Sequence, residues 1–227
     1  MNRQIVRLYM VILVLFTGLV AFTSRWSVLE AEELSANSQN RRPLIEEQQI
    51  DRGTITTRDG VVVAKSEPTS GGPQRVYVRE YPQGALFGNP VGYSFVEVGR
   101  TGIELSENDL LTGEQNEFAT LIDQLTDSTQ EGADITLTLD AGAQQVAVEG
   151  LQAAIASTPG AVGGGSVVAI EPDTGAVRVM ASVPGFDPNE VNNTETLEKL
   201  NSDDVAAPLL NRATQSTYEP GSTMKVV

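Results

Sequence analysis

Near its start the chain carries an uncharged run, Leu8 to Ser24, with Arg3 and Arg7 before it and Arg25 and Trp26 behind it. As a helix this run lies at the short end of what crosses a bilayer, and Trp26 suits the headgroup interface. Basic residues ahead of an apolar core also describe a signal peptide. Ala21-Phe22-Thr23 is a poor small-x-small cleavage site, however, so an uncleaved anchor is expected. Arginines before the span and Glu30, Glu32 and Glu33 after it place the N-terminus in the cytoplasm and the bulk of the chain outside. Leu29 to Ile50 is polar and helix-compatible, and reads as a stalk.

Beyond the stalk the pattern changes to short β-rich runs. Arg52 to Ala64 holds two of them around Asp59-Gly60, a dipeptide suited to a turn with positive φ, which predicts a hairpin. Prolines and glycines then break the chain up to Gly102, leaving strand-like pieces at Val76-Tyr77-Val78 and Tyr93 to Val96. Ile103 to Leu111 and Glu114 to Leu125 have helical spacing. A boundary is expected at 128–132. Asp134 to Asp140 alternates apolar and polar residues as a half-buried strand does, and Asp140 can cap a helix from Ala141 to about Ala156. The inward face of that helix is expected to hold Ala143, Val146, Ala147, Leu151 and Ile155. Thr158 to Gly165 reads as a flexible connection; it lacks the spaced glycines and Lys-Ser/Thr pair of a phosphate-binding loop. Ser166–Ile170 and Ala176–Ala181 bracket the turn Glu171-Pro172-Asp173-Thr174-Gly175, and their near-continuous apolar character predicts central strands covered by helices.

Composition narrows the chemistry sharply. The chain has no His and no Cys, so Ser–His and Cys–His catalysis, imidazole or thiolate metal sites and lipid attachment through cysteine are all excluded. Its formal net charge of −15 argues against nucleic acid as a partner. Glu171, Asp173, Asp187, Glu190, Asp203 and Asp204 show no metal-loop spacing, and each has a turn or surface role to fill; no metal or other cofactor is expected. A serine nucleophile in such a chain needs a base other than histidine. Of the lysines Lys65, Lys199 and Lys225, only Lys225 has a serine three residues before it, Ser222. On a helix these two would lie about 5–6 Å apart on one face. Pro220 and Gly221 mark where such a helix begins, and its first turn would favour negative charge on the serine oxygen. Ser222 as nucleophile and Lys225 as general base are the candidate catalytic pair. The lysine serves as a base only if its surroundings lower its pKa from the usual value near 10.4.

Several stretches resemble one family. Asn211-Arg212-Ala213 followed by Tyr218-Glu219-Pro220-Gly221-Ser222-Thr223-Met224-Lys225 is similar to the nucleophile segment of the penicillin-binding proteins, the serine acyltransferases that cross-link bacterial peptidoglycan. Val168 to Gly175 with Ser182 to Asn189 resembles the first hairpin and following loop of their transpeptidase domain. The strand ending in Thr138-Leu139-Asp140 and leading into a helix with Gln144 and Gln145 is similar to its entry. Arg52-Gly53-Thr54-Ile55 leading to Arg58-Asp59-Gly60 resembles the start of the pedestal of class B members, and the whole is most similar to the actinobacterial type with a short pedestal.

The resemblance implies an α+β chain with a tail and membrane anchor over 1–27, a stalk over 28–50, a dimerisation-type pedestal over 51–130 and the N-terminal part of a β-lactamase-like transpeptidase domain over 131–227. It implies that Ser222 attacks a stem peptide, that β-lactams acylate the same serine, that residues 8–24 meet the membrane and that a membrane glycosyltransferase is a partner. Asp51 and Arg52 are expected to be structural. No Ser-x-Asn or Lys-Thr/Ser-Gly follows Lys225, where the family carries them, so the chain is expected to be a fragment with the nucleophile but an incomplete site. A membrane-anchored β-lactam sensor and a non-catalytic envelope scaffold remain as alternatives.

Overall fold

The computed structural model describes residues 3–25, 48–69, 76–113, 131–158, 163–203, 205–219 and 225. The stalk, the helix expected over Glu114–Leu125 and the boundary expected at 128–132 lie wholly or largely outside these residues, as do 159–162 and Pro220 to Met224 with Ser222 among them. The chain divides into two units, Met1–Ile45 and Glu46–Val227.

In the first unit, helix α1 (Arg3–Ser24) takes in Arg3 and Arg7 and so is longer than the uncharged run alone. Its 22 residues extend about 33 Å, enough by length and composition to cross a hydrocarbon core of about 30 Å.

The second unit begins with the hairpin expected at Asp59-Gly60. Strand β1 (Ile55–Thr56) pairs antiparallel with β2 (Val62–Thr69), and Gly60 takes φ +83°, a conformation without steric cost only for glycine. Strand β3 (Val76–Glu80) continues the sheet antiparallel to β2. A short helix α2 (Gly88–Val91), the ribbon β4 (Ser94–Phe95) and β5 (Gly99–Arg100), and helices α3 (Gly102–Ser106) and α4 (Asn108–Thr112) follow. The single helix expected over Ile103–Leu111 is thus two, parted at Glu107.

Between them these elements enclose a charged cluster. Glu104 is fully buried. Its carboxylate accepts from Arg52 Nε at 2.9 Å and Arg79 Nε at 2.7 Å, and lies 3.3 Å from the Tyr81 hydroxyl. Arg52 also donates to Asn108 Oδ1 and the Glu104 carbonyl, while Arg79 donates to the Arg52 and Gly53 carbonyls. Arg52 is therefore a structural residue that ties the segment ahead of β1 to α3 and α4.

Strand β6 (Ile135–Thr136) comes after the expected boundary, yet it pairs parallel with β1, giving the sheet order β3-β2-β1-β6. The alternation read from the sequence holds through this segment: Leu137 and Leu139 are buried, while Asp134, Thr136 and Thr138 are exposed. Asp140 caps α5 (Ala141–Ser157) by accepting from Ala143 N–H at 3.0 Å. The hairpin tip adds a second carboxylate at the same helix end, since Asp59 Oδ1 accepts from Ala141 N–H at 3.1 Å. Hydrogen bonds from the Thr57 side chain and the Ala141 N–H hold the Asp59 carboxyl below the usual range.

The inward face of α5 differs from the expectation. Val146 is 70% exposed, whereas Gln144 is fully buried. Residues 144 and 146 lie about 200° apart around a helix, so only one can face inward. The polar one does, because its carboxamide has backbone partners. Gln144 Oε1 accepts from Met180 N–H at 2.9 Å, and Nε2 donates to the Met180 and Leu86 carbonyls. Met180 lies on β8 (Val177–Val183), which pairs antiparallel with β7 (Gly165–Ile170), so the carboxamide serves the outer edge of β8 as a neighbouring strand would. Gln144→Leu is expected to cost about 2 kcal/mol, chiefly by orphaning the Met180 N–H, and chemical denaturation reads that loss.

Strands β7 and β8 form the expected hairpin, but among the described residues they are a two-stranded sheet rather than central strands. Val168 and Ile170 are 44% and 56% exposed, since no described strand pairs with the free edge of β7. Beyond β8 come a 3₁₀ turn, Pro188–Val191, and α6 (Thr194–Asn201). One apolar core runs through the unit: Ile55, Val63, Tyr81, Phe87 and Leu111 belong to the same cluster as Leu139, Phe186 and Val191.

Candidate active site

The segment that leads to the candidate pair leaves α6 and crosses the end of β8. Three side chains hold it. Ser182, on β8, donates from Oγ to the Leu210 carbonyl at 3.2 Å and accepts from Arg212 N–H at 3.1 Å. Asn89, on α2, donates to the Pro208 carbonyl at 3.0 Å. Arg212 is buried and spends its guanidinium on the Ala206 and Ala207 carbonyls, the latter at 3.1 Å. Arg212 also bears on a glycine in the run read as a flexible connection: a Cβ on Gly164 would fall 2.4 Å from Arg212 Nε, so a side chain there would have to displace the guanidinium from the carbonyls it holds.

Asn211 closes the next turn, as its Oδ1 accepts from Ala213 N–H and its N–H donates to Gln215 Oε1 at 3.0 Å. The Thr214 and Gln215 N–H groups both donate to the Asn211 carbonyl. The motif Asn211-Arg212-Ala213 thus builds a tight, hydrogen-bonded platform ahead of the segment that carries the candidate pair.

Of the two candidate catalytic residues, Lys225 is exposed, and Ser222 lies outside the described residues. The other lysines serve elsewhere: Lys65 pairs with Glu67 and Glu80 on the sheet surface, and Lys199 lies in the last turn of α6. Glu171 pairs with Arg178 at 2.5 Å and accepts from Thr174 in the hairpin turn, and Asp187 caps the 3₁₀ turn. Among the described residues no His, Cys, Asp or Glu side chains group to hold a metal ion. Ser182, Asn89 and Gln144 were not evident as site-building residues in the sequence; Ser182 and Gln144 lie within stretches that resemble the family, and no pattern marks Asn89.

Two family models match this chain. The penicillin-binding protein A dimerisation domain matches residues 52–135, which closes with β6, and the penicillin-binding protein transpeptidase domain matches residues 165–227, from β7 through Ser222 and Lys225. The chain belongs to the penicillin-binding proteins. The peptidoglycan D,D-transpeptidase PbpA of Mycolicibacterium smegmatis is 34% identical to this penicillin-binding protein, over 100% of this chain and 46% of that one. PbpA of Mycobacterium tuberculosis is 30% identical over the same shares. The chain therefore spans about half the length of the curated relatives it matches. In three dimensions it is similar to penicillin-binding protein A from M. tuberculosis in an imipenem acyl-enzyme complex, with 29% identity and a TM-score of 0.69, over 79% of this chain and 41% of that one.

Proposed function

We propose that the protein is a class B peptidoglycan D,D-transpeptidase, with Ser222 as nucleophile and Lys225 as general base. The observation that carries this reading is the transpeptidase match over residues 165–227, which includes Ser222 and Lys225 and the platform built by Asn211, Arg212 and Ser182. Lys225 takes the Ser222 hydroxyl proton as the oxygen attacks the carbonyl of the penultimate D-alanine in a stem peptide. The C–N bond to the terminal D-alanine breaks, and that amine leaves with a proton. An amine on a neighbouring stem then attacks the Ser222 ester, forms the cross-link amide and returns the hydroxyl. β-Lactams enter by the same attack and remain as an ester on Ser222.

The domain division that fits is an anchor through residue 27, a stalk over 28–50 and a pedestal over 51–130 whose sheet β6 closes from the start of the transpeptidase part. Arg3 and Arg7 favour a cytoplasmic N-terminus with the rest outside. A membrane glycosyltransferase is the partner this arrangement suits.

The reaction itself is the test. Full-length gene product supplied with uncross-linked peptidoglycan strands is expected to yield dimeric stem peptides, detected by mass spectrometry, and penicillin is expected to stop their formation. A folded protein that accepts penicillin yet forms no cross-link would be a sensor, and one that does neither would be a scaffold.

A further inference from the structure

Between residues 89–102 and the platform ahead of Ser222 lies a half-open cavity of about 300 Å³. Tyr93 and Phe186 line it, edge to face with ring centres 6.1 Å apart. Asn201, Thr214 and Gln215 are exposed at its rim. None of the side chains lining it is charged.

Asn89, Thr101 and Asn211 are engaged with the fold, but other polar groups of the lining are unspent. Tyr93 is only 6% exposed as a residue, and its hydroxyl, which is not one of the fully enclosed polar atoms, has no hydrogen-bond partner among the described residues. Burial pushes the Tyr93 hydroxyl up from its usual pKa, so it stays protonated and able to donate. Gln215 uses Oε1 on the Asn211 N–H and leaves Nε2 over. Carboxamides and hydroxyls both donate and accept, so they match a ligand whose own polar groups are hydroxyls and amides. With no lining charge, nothing would compensate a carboxylate or phosphate drawn in from water. The volume lies at the small end of ligand pockets, roughly 300–1,000 Å³, which suits one ring better than an extended peptide.

We infer that this cavity is a saccharide subsite that holds one uncharged N-acetylated sugar ring of a glycan strand. The inference rests on the transpeptidase reading, because the polymer then being cross-linked is built of such rings. Gln215 precedes Ser222 by seven residues, so a ring held here tethers the strand to the segment that carries the nucleophile.

Titrating full-length gene product with N,N′,N″-triacetylchitotriose, followed by ligand-observed NMR, tests it. Saturable binding is expected, weakened about three- to tenfold by Tyr93→Phe and similarly by Asn201→Ala, each the loss of one neutral hydrogen bond. Tyr93→Phe removes a hydroxyl that holds no described contact, so its melting temperature reports that the fold is kept. Absence of saturation into the millimolar range, or binding that both variants leave unchanged, overturns the subsite. So does preferential binding of a free stem pentapeptide that Tyr93→Phe weakens. Penicillin labelling of the wild-type protein in the same preparation separates the two failures: labelled protein that ignores the sugar sinks only the subsite, whereas unlabelled folded protein sinks the transpeptidase reading beneath it.

Discussion

Replacing Glu104 with Ala is expected to lower the stability of the second unit by about 3–5 kcal/mol, because it strands two buried guanidinium groups without their counter-charge. The side chains of Arg52 and Arg79 are 10% and 4% exposed, and Glu104 is the carboxylate that both reach. Burial already draws the Arg52 guanidinium below its usual pKa, against the pull of Glu104. Arg79 Nη2 has no partner among the described residues, so the cluster has little to spare. Thermal denaturation reads the loss as a fall of roughly 6–20 °C. Glu104→Gln keeps the shape and part of the hydrogen bonding and should fall between wild type and Glu104→Ala. A Glu104→Ala protein that melts within a degree or two of wild type would mean that the arginines find other partners.

Lys225→Ala should slow acylation by a β-lactam by about 10²–10⁴-fold, the usual worth of a positioned general base. Lys225 is exposed, so its removal leaves the packing of the fold alone and the melting temperature near that of wild type. Lys225→Arg discriminates the role further. A guanidinium does not deprotonate near neutral pH, so it should fail to restore the rate although it keeps the charge. Stopped-flow acylation of the full-length product measures both variants, and wild-type rates in Lys225→Arg would reduce the lysine to an electrostatic part.

The features legible in the sequence are those set by short-range interactions. Asp59-Gly60, the Asp173-Thr174-Gly175 turn, the Asp140 cap and the alternation over 134–140 were legible because each depends on neighbours a few residues away. Gln144 and Glu104 were not legible. A buried polar side chain is stabilised only by partners far along the chain, here Met180 for Gln144, and Arg52 and Arg79 for Glu104. Apolar periodicity therefore chose Val146 for an inward position that a satisfied carboxamide occupies instead. Strand β6 was readable as a strand, but its pairing with β1, some eighty residues earlier, was not. The candidate pair rests on elimination, since a chain without His or Cys leaves few bases for a serine, together with the resemblance of the segment that carries it. The residues that hold its approach, Asn89 and Ser182, act through backbone carbonyls and N–H groups, and such contacts leave no mark in a residue pattern.

The central claim is that Ser222 forms the acyl-enzyme. Intact-mass spectrometry of full-length gene product incubated with penicillin, with Ser222→Ala beside it, tests that claim most directly. One added penicillin mass on the wild type and none on the variant is the predicted result. A folded wild type that gains no mass, or a Ser222→Ala protein that still gains it, would contradict the assignment.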